Sequence, residues 1–467
     1  NGVEAGKAPD GQLMFSPRLG FNFDIFENGK HILRGGTGVF TSRIPFVWPG
    51  AMYSNNGFTL GRVTQDDISG DVFFIGNYQN QYIHPNPAIP AGQIDIFTKD
   101  FKYPQVFRTN LAYDVELPWG IASTFEGLYT KTLNNVNYTN INSDPTVDFT
   151  WTGSPDNRNV YSRQSIDNTY SAVYLASNTS EGYSYNLSAS FAKDFAYGLQ
   201  AVVAYSYNDA YALSEGTSSQ NSSQWRGQVN VNGRNNPSYG RSDFAMGHRA
   251  LASLTYSYKW TKDGINKTSV SLFVNGQTGA PYSYVISGRD ARNLNNETGS
   301  TSRNRSLAFI PADASEINLV DYTVGTETVT AATQWANLDK VIKDDKYLSE
   351  NRGKYAEKNG AWGPFSTRFD IAIRQDFGLK VSGQTHKFQI SLDIANFGNM
   401  INKDWGTSYS IPGDFNNFYL YQFEGYEADG TTPRFTFRDD EVGLEKFNIN
   451  DLTSRWSMLF GVRYIFN

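Results

Sequence analysis

The sequence predicts an all-β protein, a transmembrane antiparallel β-barrel to which this chain contributes about eleven strands. Apolar and polar side chains alternate with a period of two residues in eleven separate segments, which is the pattern of β-strands with two different faces. The connections between these segments are alternately tight and long. The chain also lacks a run of eighteen apolar residues, so the sequence predicts no membrane-spanning helix.

The segments that alternate in this way follow one another along the whole chain. In the first segment, Leu19, Phe21 and Phe23 lie on one side and Asn22 on the other, and the Asn-Gly turn in "ENGK" leads into the second segment. In the last segment, every even position from 456 to 466 is apolar. In order, the predicted strands are 16–25, 31–42, 109–117, 121–132, 182–195, 199–208, 249–260, 267–276, 364–379, 386–399 and 455–467.

The connections alternate without exception between tight turns and long loops. Tight turns are predicted at about residues 27–30, 118–120, 196–198, 261–266 and 381–386. Long loops are predicted at about residues 43–106, 143–181, 209–243, 289–363 and 412–454. Loops longer than about 15 residues are uncommon in compact soluble domains. Outer-membrane barrels have short periplasmic turns and long extracellular loops, so the pattern favours a membrane barrel over a soluble sandwich.

The composition narrows the range of functions. Aromatic residues make up 15% of the chain, a high fraction that is typical of all-β surfaces and membrane girdles. The formal net charge is −6 and no stripe rich in Lys and Arg is present, so nucleic acid is not an expected partner. Cysteine is absent, which excludes disulfides and thiolate metal sites, and we predict no cofactor.

Two sets of residues are candidates for contact with a ligand. The second face of the predicted strands is polar, which suits the wet interior of a barrel. The lumen-lining candidates on that face are Arg368, Asp370, Arg374, Asp376, Gln389 and Asp393. Large aromatic side chains in the long loops are candidates for binding a ligand outside the membrane. These loop candidates are Trp48, Tyr53, Tyr82, Trp151, Trp225 and Trp335.

Histidines and acidic residues allow further interpretations. His31, His84, His248 and His386 do not show metal-ligand spacing, and a Ser–His hydrolase arrangement near His248 is an alternative. The last long loop, 412–454, carries nine acidic against three basic residues. It could bind a divalent cation or a basic cargo, and an ordinary solvated surface loop is the alternative.

The strand number has a topological consequence. Eleven is odd, whereas bacterial single-chain barrels have even strand numbers. A first strand that runs inward cannot pair in antiparallel fashion with a last strand that also runs inward. We therefore expect residues 1–16 to begin in an extracellular loop and residues 17–467 to form the C-terminal part of a barrel. In a 22-stranded barrel these would be strands twelve to twenty-two, and an upstream half would pair with both edges.

Several segments resemble the barrel of TonB-dependent outer-membrane transporters, and most closely the Oar-like group of Bacteroidota. They are "SPRLGFNFDI…ENGKHILRGGTGVFTSRIPFVW", "GYSYNLSASFAKDF", "TGAPYSYV" and "FQISLDIANFGNMINKDWG". The resemblance runs from about residue 12 to the end and implies a 22-stranded barrel closed by an N-terminal plug. It also implies import energised through a TonB box, although neither plug nor box lies in this sequence. Barrels of this family usually have an aromatic residue as their last residue. Here Phe466 is followed by Asn467, so the aromatic residue is one position before the end.

The expected function is therefore the import of a nutrient across the outer membrane, without enzymatic activity. The cargo would be a peptide, an oligosaccharide or a metal chelate. The expected partners are the upstream half-barrel with its plug, the TonB system, lipid and lipopolysaccharide, and surface lipoproteins. Two alternatives remain open: a docking or adhesion platform that binds surface proteins through its long loops, and a hydrolase built into the barrel wall.

Overall fold

The computed structural model is an all-β fold built on one large antiparallel sheet. It describes residues 3–57, 75–77, 79, 92–299, 301–413, 415–438 and 447–466. Eleven strands follow one another in the sheet in chain order, each hydrogen-bonded to the next. They are β1 (Arg18–Asp24), β2 (His31–Thr41), β3 (Gln105–Leu117), β4 (Ile121–Asn140), β5 (Gly182–Asp194), β6 (Leu199–Ala212), β7 (Gly247–Lys259), β8 (Lys267–Gln277), β9 (Ser366–Val381), β10 (Gln384–Ala395) and β11 (Ser457–Phe466).

The strand register separates an apolar face from a polar face across the sheet. One row of directly opposed residues runs from Val270 through Ile373 and Leu392 to Phe460. A row on the other side runs from Asp376 through Gln389 to Arg463. Because directly opposed residues in an antiparallel pair point to the same side, these rows lie on opposite faces. We call them the apolar face and the polar face.

The tight connections are hairpin turns. The loop between β9 and β10 is only two residues long, Ser382 and Gly383, and both have positive φ angles, 51° and 84°. This is the type I′ geometry that matches the twist of the flanking strands. Between β5 and β6, Gly198 has a φ of 90°, and a Cβ at this position would lie 2.4 Å from the carbonyl oxygen of Ser257. A side chain would therefore strain this turn.

The tenth strand ends earlier than the predicted 386–399. It stops at Ala395 because Asn396 takes a left-handed conformation with a φ of 52°. The Asn396 amide donates to the carbonyl oxygens of Gly406 and Ser454. These bonds fix a sharp exit from the sheet, and the next residues form a short helix instead of a strand end.

The five long connections have secondary structure of their own. We call them loop 1 (42–104), loop 2 (141–181), loop 3 (213–246), loop 4 (278–365) and loop 5 (396–456). Their helices are α1 (Val47–Ser54), α2 (Asn221–Arg226), α3 (Ala331–Asp344), α4 (Lys346–Glu350), α5 (Phe397–Ile401) and α6 (Asp451–Ser454), with 3₁₀ turns at Asp290–Asn293 and Ala314–Glu316. Among the described residues, no helix is long and apolar enough to cross a membrane.

The loops also hold short strands outside the eleven-strand path. They are Gly92–Phe97, Val147–Thr150, Asn159–Tyr161, Tyr170–Thr179, Gly240–Arg241, Pro281–Ser287, Phe309–Ile310, Tyr322–Val324, Glu327–Val329, Lys354–Tyr355, Ala361–Trp362, Tyr409–Ser410, Asn417–Tyr426, Pro433–Thr436 and Asn448–Ile449. Gly92–Phe97 of loop 1 pairs with Tyr170–Thr179 of loop 2, which in turn pairs with the upper part of β4. Pro281–Ser287 of loop 4 pairs in parallel with Asn417–Tyr426 of loop 5.

The buried core of the chain lies in these loops. The larger cluster joins four loops, with Trp151 of loop 2, Val229 of loop 3, Tyr284 of loop 4 and Phe418 of loop 5 among its members. We call it the loop core. A smaller cluster packs Trp48 and Met52 of α1 against β4 and its neighbours. The long connections therefore form a folded layer at one end of the sheet.

Candidate functional site

The polar face of the last strands carries a set of paired charges. Arg374 Nη2 donates to Asp393 Oδ1 at 3.0 Å, across the β9–β10 pair. Asp376 accepts a bond of 2.8 Å from Gln389 Nε2, and its other oxygen lies 3.3 Å from Lys387 Nζ. Each charge thus has a partner of opposite sign or a hydrogen-bond donor beside it.

The remaining two lumen-lining candidates, Arg368 and Asp370, lie on the same face, at the end of β9 nearer the loop layer. Arg368 Nε donates to Asp370 Oδ1 at 2.8 Å, and the same oxygen accepts from the backbone N–H of Asn396 at 2.6 Å. The register places all six candidates on the polar face, opposite the row that contains Phe460. That they line a lumen stays a prediction.

A second polar cluster lies on the same face at the other side of the sheet. Arg34 Nε donates to Asp114 Oδ2 at 2.7 Å, and Thr124 Oγ1 donates to Asp114 Oδ1 at 2.7 Å. On the same pair of strands, β3 and β4, Asn110 Nδ2 donates to Glu126 Oε1 at 3.2 Å. These residues were not among the predicted site residues, although the alternation in residues 109–117 already placed Asn110 and Asp114 on a polar side.

The loop aromatic residues proposed as ligand contacts differ widely in exposure. Trp225 is fully buried and donates from Nε1 to Asn235 Oδ1. Trp151 is 2% exposed and stacks on Phe423 with ring centroids 5.7 Å apart. In this structure both rings pack the interior of the loop layer and present almost no surface to a ligand, so their role in ligand binding stays a prediction.

The other aromatic candidates connect two loops, line a cavity, pack against the loop core or lie outside the described residues. Trp48 of α1 is buried and donates from Nε1 to the carbonyl oxygen of Ser218, which connects loop 1 to loop 3. Tyr53 is exposed, and together with Pro9 it lines a cavity. Trp335 is partly buried against the loop core. Tyr82 lies outside the described residues.

Buried ion pairs stabilise the loop layer. Arg158 makes a two-bond contact with Asp156, at 3.0 and 2.7 Å, and its guanidinium lies over the ring of Trp151. Arg234 Nη1 lies 3.1 Å from Glu297 Oε2. Burial raises the pKa of Glu297, and the bonds from Arg234 oppose that rise. Removing one partner of either pair would leave a buried charge unpaired and would be strongly destabilising.

A cavity of about 390 Å³ lies between loops 3, 4 and 5. Its charged lining residues are the cations Arg303, Arg305 and Lys358 and the carboxylates Glu215 and Asp243. Its remaining lining residues are Leu213, Ser214, Gly216, Thr217, Ser218, Ser219, Ser223, Gln224, Gly227, Gln228, Val229 and Phe415. The volume falls within the range of small-molecule sites. We call this cavity the loop pocket; no residue in it was singled out from the sequence, because its lining comes from three distant segments.

The histidines that the structure describes share one arrangement. His31, His248 and His386 each contact the hydroxyl of a tyrosine on the neighbouring strand through Nδ1, at 2.6, 2.6 and 2.5 Å. The Nδ1 partner of His248 is therefore Tyr205 and not a serine. His84 lies outside the described residues.

Several acidic residues of 412–454 hold the loop structure itself. Asp429 caps a turn by accepting from the backbone N–H groups of Thr431 and Thr432. Glu424 accepts from Thr436 Oγ1, and Glu427 accepts from Asn318 Nδ2. Among the described residues, no three His, Cys, Asp or Glu side chains are grouped so that they could hold a metal ion. Five of the nine acidic residues lie outside the described part: Asp414, Asp439, Asp440, Glu441 and Glu445.

Comparisons with known proteins add a family and two solved structures. The family model described as outer membrane beta barrel domain matches residues 3–412. The outer membrane transporter YddB from Escherichia coli is similar with 9% identity and a TM-score of 0.43, covering 96% of this chain and 40% of that one. BauA, the ferric preacinetobactin receptor from Acinetobacter baumannii, is similar with 10% identity and a TM-score of 0.36, covering 96% of this chain and 36% of that one.

These matches have a defined extent. The chain spans well under half the length of the two solved structures. No curated protein sequence matches it.

Proposed function

The chain belongs to the outer membrane β-barrel domain family, and from this premise we propose that it forms barrel wall and loops of a nutrient importer. The family places the protein in the outer membrane, crossed many times by the chain. In the proposed importer the apolar face of the eleven-strand sheet contacts lipid. The loop layer faces outward and captures the nutrient, and the polar face lines its path.

The observation that carries the proposal is the polar face of the sheet. Ion pairs and hydrogen-bonded polar groups occur at both sides of the sheet, from Arg34–Asp114 on β2 and β3 to Arg374–Asp393 on β9 and β10. An outer-membrane barrel has an apolar outside and a polar interior. A hydrated path for a polar solute is the simplest use of such an interior. The ion pairs on this face keep those parts of the wall polar without adding net charge.

The finer parts of the proposal concern energy and assembly. We propose that the complete protein is a TonB-dependent transporter of 22 strands, with a plug and an upstream half-barrel as partners. The resemblance of segments such as "GYSYNLSASFAKDF" to that family, and to its Oar-like group, supports this part of the proposal. The cargo classes remain peptides, oligosaccharides and metal chelates. No bond of the cargo is made or broken.

Two other functions use the same barrel. A docking platform would bind surface proteins through the loop layer and pass no solute. A hydrolase would need a nucleophile beside an imidazole. The Nδ1 of His248 is bonded to Tyr205, and this observation does not favour the hydrolase.

Uptake by cells that produce the complete protein tests the proposal. We expect radiolabelled oligopeptide, oligosaccharide or ferric chelate from one class to accumulate in producing cells and not in cells without the gene. A protonophore should abolish that accumulation if the import is energised. Accumulation that ignores the protonophore would reject the TonB-dependent form. Binding at the surface without accumulation for every class would reject import and favour docking.

A charge exchange on the polar face gives a matched control. Arg374→Asp places two carboxylates together and Asp393→Arg places two guanidinium groups together, whereas the double variant restores the pair. We expect both single variants to lower uptake, and the double variant to recover it. Equal uptake in all four proteins would show that this face is not on the path.

A further inference from the structure

Among the buried cations of the loops, Arg305 has an unusual environment. Within the described residues, four cationic side chains are less than a tenth exposed: Arg158, Arg234, Arg305 and Lys358. Three of them pair with a carboxylate, namely Arg158 with Asp156, Arg234 with Glu297 and Lys358 with Glu215. Arg305 has no carboxylate of the described residues within 4.0 Å.

The hydrogen bonds of Arg305 all go to neutral oxygens. Its Nε donates to the carbonyl oxygen of Gly227 at 2.7 Å, and its Nη1 donates to the carbonyl oxygen of Phe415 at 3.2 Å and to Asn417 Oδ1 at 3.3 Å. Its Nη2 donates to none of the described residues. A guanidinium normally presents a fork of donors that matches a carboxylate or a phosphate. In Arg305 part of that fork is unused.

The position of Arg305 explains where a partner would sit. Arg305 lines the loop pocket, and burial there lowers its pKa to about 10. The carboxylates of Glu215 and Asp243 attract it only from beyond ion-pair distance. Glu215 is already bonded to Lys358 and Ser242, and Asp243 accepts from Asn359. The buried charge of Arg305 is therefore not neutralised by a contact.

A second polar group in the same cavity has an open bonding position. Gln228 is 3% exposed and lines the loop pocket. Its Nε2 donates to Asn137 Oδ1 and to the carbonyl oxygen of Tyr138, and its Oε1 is buried without a hydrogen-bond partner. Buried polar atoms in native structures are nearly always bonded, so an orphan acceptor on a residue of the same cavity lining supports a polar character for this site.

We propose that the loop pocket binds a carboxylate of the imported ligand, with Arg305 Nη2 as its donor. This inference rests on the proposed import function and specifies its substrate class, a small organic acid or a peptide with an accessible carboxylate. The ring of Phe415 backs the site, since the Arg303 and Arg305 guanidinium groups lie 3.9 and 5.5 Å from its centroid.

Succinate, its neutral analogue succinamide and inorganic phosphate are suitable probes for the purified protein in detergent. Binding is measured by saturation-transfer NMR or calorimetry at constant ionic strength. We expect succinate to bind and succinamide to bind about tenfold more weakly or worse, because a hydrogen bond to a charged partner is lost. Phosphate that binds while succinate does not, or equal binding of succinate and succinamide, would overturn the carboxylate assignment.

Variants separate the site from a structural role. Arg305→Leu should weaken succinate binding by about tenfold or more. Arg289→Leu, an exposed cation of the same loop outside the pocket, should leave binding unchanged. Arg305→Lys keeps the charge but replaces the guanidinium fork by a single ammonium group, so it should also weaken succinate binding and serves as the test if the leucine variant does not fold. Undiminished binding in both Arg305 variants overturns the proposal.

The two proposals fail in different ways. Succinate binding in detergent involves no transport, so a bound ligand without cellular uptake would refute the import function and leave the site. Uptake of a nutrient by the Arg305→Leu variant at the unaltered rate would refute the site and leave the import function.

Discussion

Neighbouring residues of β11 have opposite environments although both are exposed in the isolated chain. Leu459 lies opposite Asp393 on the polar face, and Phe460 lies opposite Leu392 on the apolar face. We expect Phe460→Arg to lower the free energy of unfolding in lipid by roughly 2–4 kcal/mol if Phe460 lies near the bilayer midplane. Leu459→Arg is the matched control and should lower it far less. Equal losses in urea unfolding from vesicles would contradict the assignment of the faces.

Asp429 predicts a local response to acid in loop 5. Its side chain accepts from Thr432 Oγ1 and from the backbone N–H groups of Thr432 and Thr431, and these bonds lower its pKa to about 2. The ionised carboxylate stabilises the turn fully when the pH is above the pKa of the unfolded chain, near 3.9. This stabilisation is lost as the pH falls through the lowered pKa of about 2. We expect the Asp429 carboxyl group, followed by NMR, to titrate near pH 2. A midpoint at the ordinary pKa of an aspartate would contradict the hydrogen bonds of this turn.

Single aromatic residues show what the sequence could not determine. A Trp in a long polar loop has the same sequence context whether it stacks on a ligand or on another loop. Trp151 and Trp225 pack against residues distant in sequence, Phe423 and Tyr174 among them. Arg305 could not be identified from the sequence either. What distinguishes it is that no carboxylate of the described residues forms an ion pair with it, and this depends on the folded loops.

Strands were predictable because their pattern is local. Alternation over ten residues is enough to assign a face, and the polar side of residues 364–379 and 386–399 matches the polar face of β9 and β10. Strand ends were less certain: β4 continues to Asn140 because Tyr170–Thr179 of loop 2 pairs with its upper part. That partner contains the unbroken apolar run 172–176, which does not alternate with polar residues, so the segment was assigned to a predicted loop.

The two faces of β10 can be distinguished by chemistry. The chain has no cysteine, so a single introduced thiol is a clean probe. Ser391 lies on the polar face, opposite Gly461, and Ile390 lies on the apolar face, opposite Val462. We expect a water-soluble maleimide to label Ser391→Cys in the membrane and to leave Ile390→Cys unlabelled. Detergent denaturation should make both react, and labelling of both in the intact membrane would contradict the barrel.

The buried pair of loop 2 should support the whole loop layer. Arg158→Leu leaves Asp156 buried without its cation, and we expect the loop layer to lose about 3–5 kcal/mol of stability. Trp151 fluorescence reports this unfolding, because its ring packs beneath the Arg158 guanidinium. Lys340→Met removes an exposed pair with Asp344 and should change stability by less than about 1 kcal/mol. Similar losses in both variants would show that burial does not decide the effect.

At the scale of the whole molecule, the sheet and the loop layer follow different rules. The sheet is formed by sequential antiparallel neighbours, which is why strand order could be read directly from the chain. The loop layer brings together residues more than 270 positions apart, such as Trp151 and Tyr426. No local pattern encodes such contacts, and this explains why its fold was not predicted.

The shared loop core has a consequence for how quickly the loop layer could open. Trp151, Val229, Tyr284 and Phe418 belong to four different loops but to one packed cluster. Packed segments of this kind open as cooperative units, and their backbone amides then exchange with solvent deuterium at a common rate. A ligand in the loop pocket lies between three of these four loops and would leave when the unit opens. Its residence time would follow the opening frequency of that unit and not the mobility of any single loop.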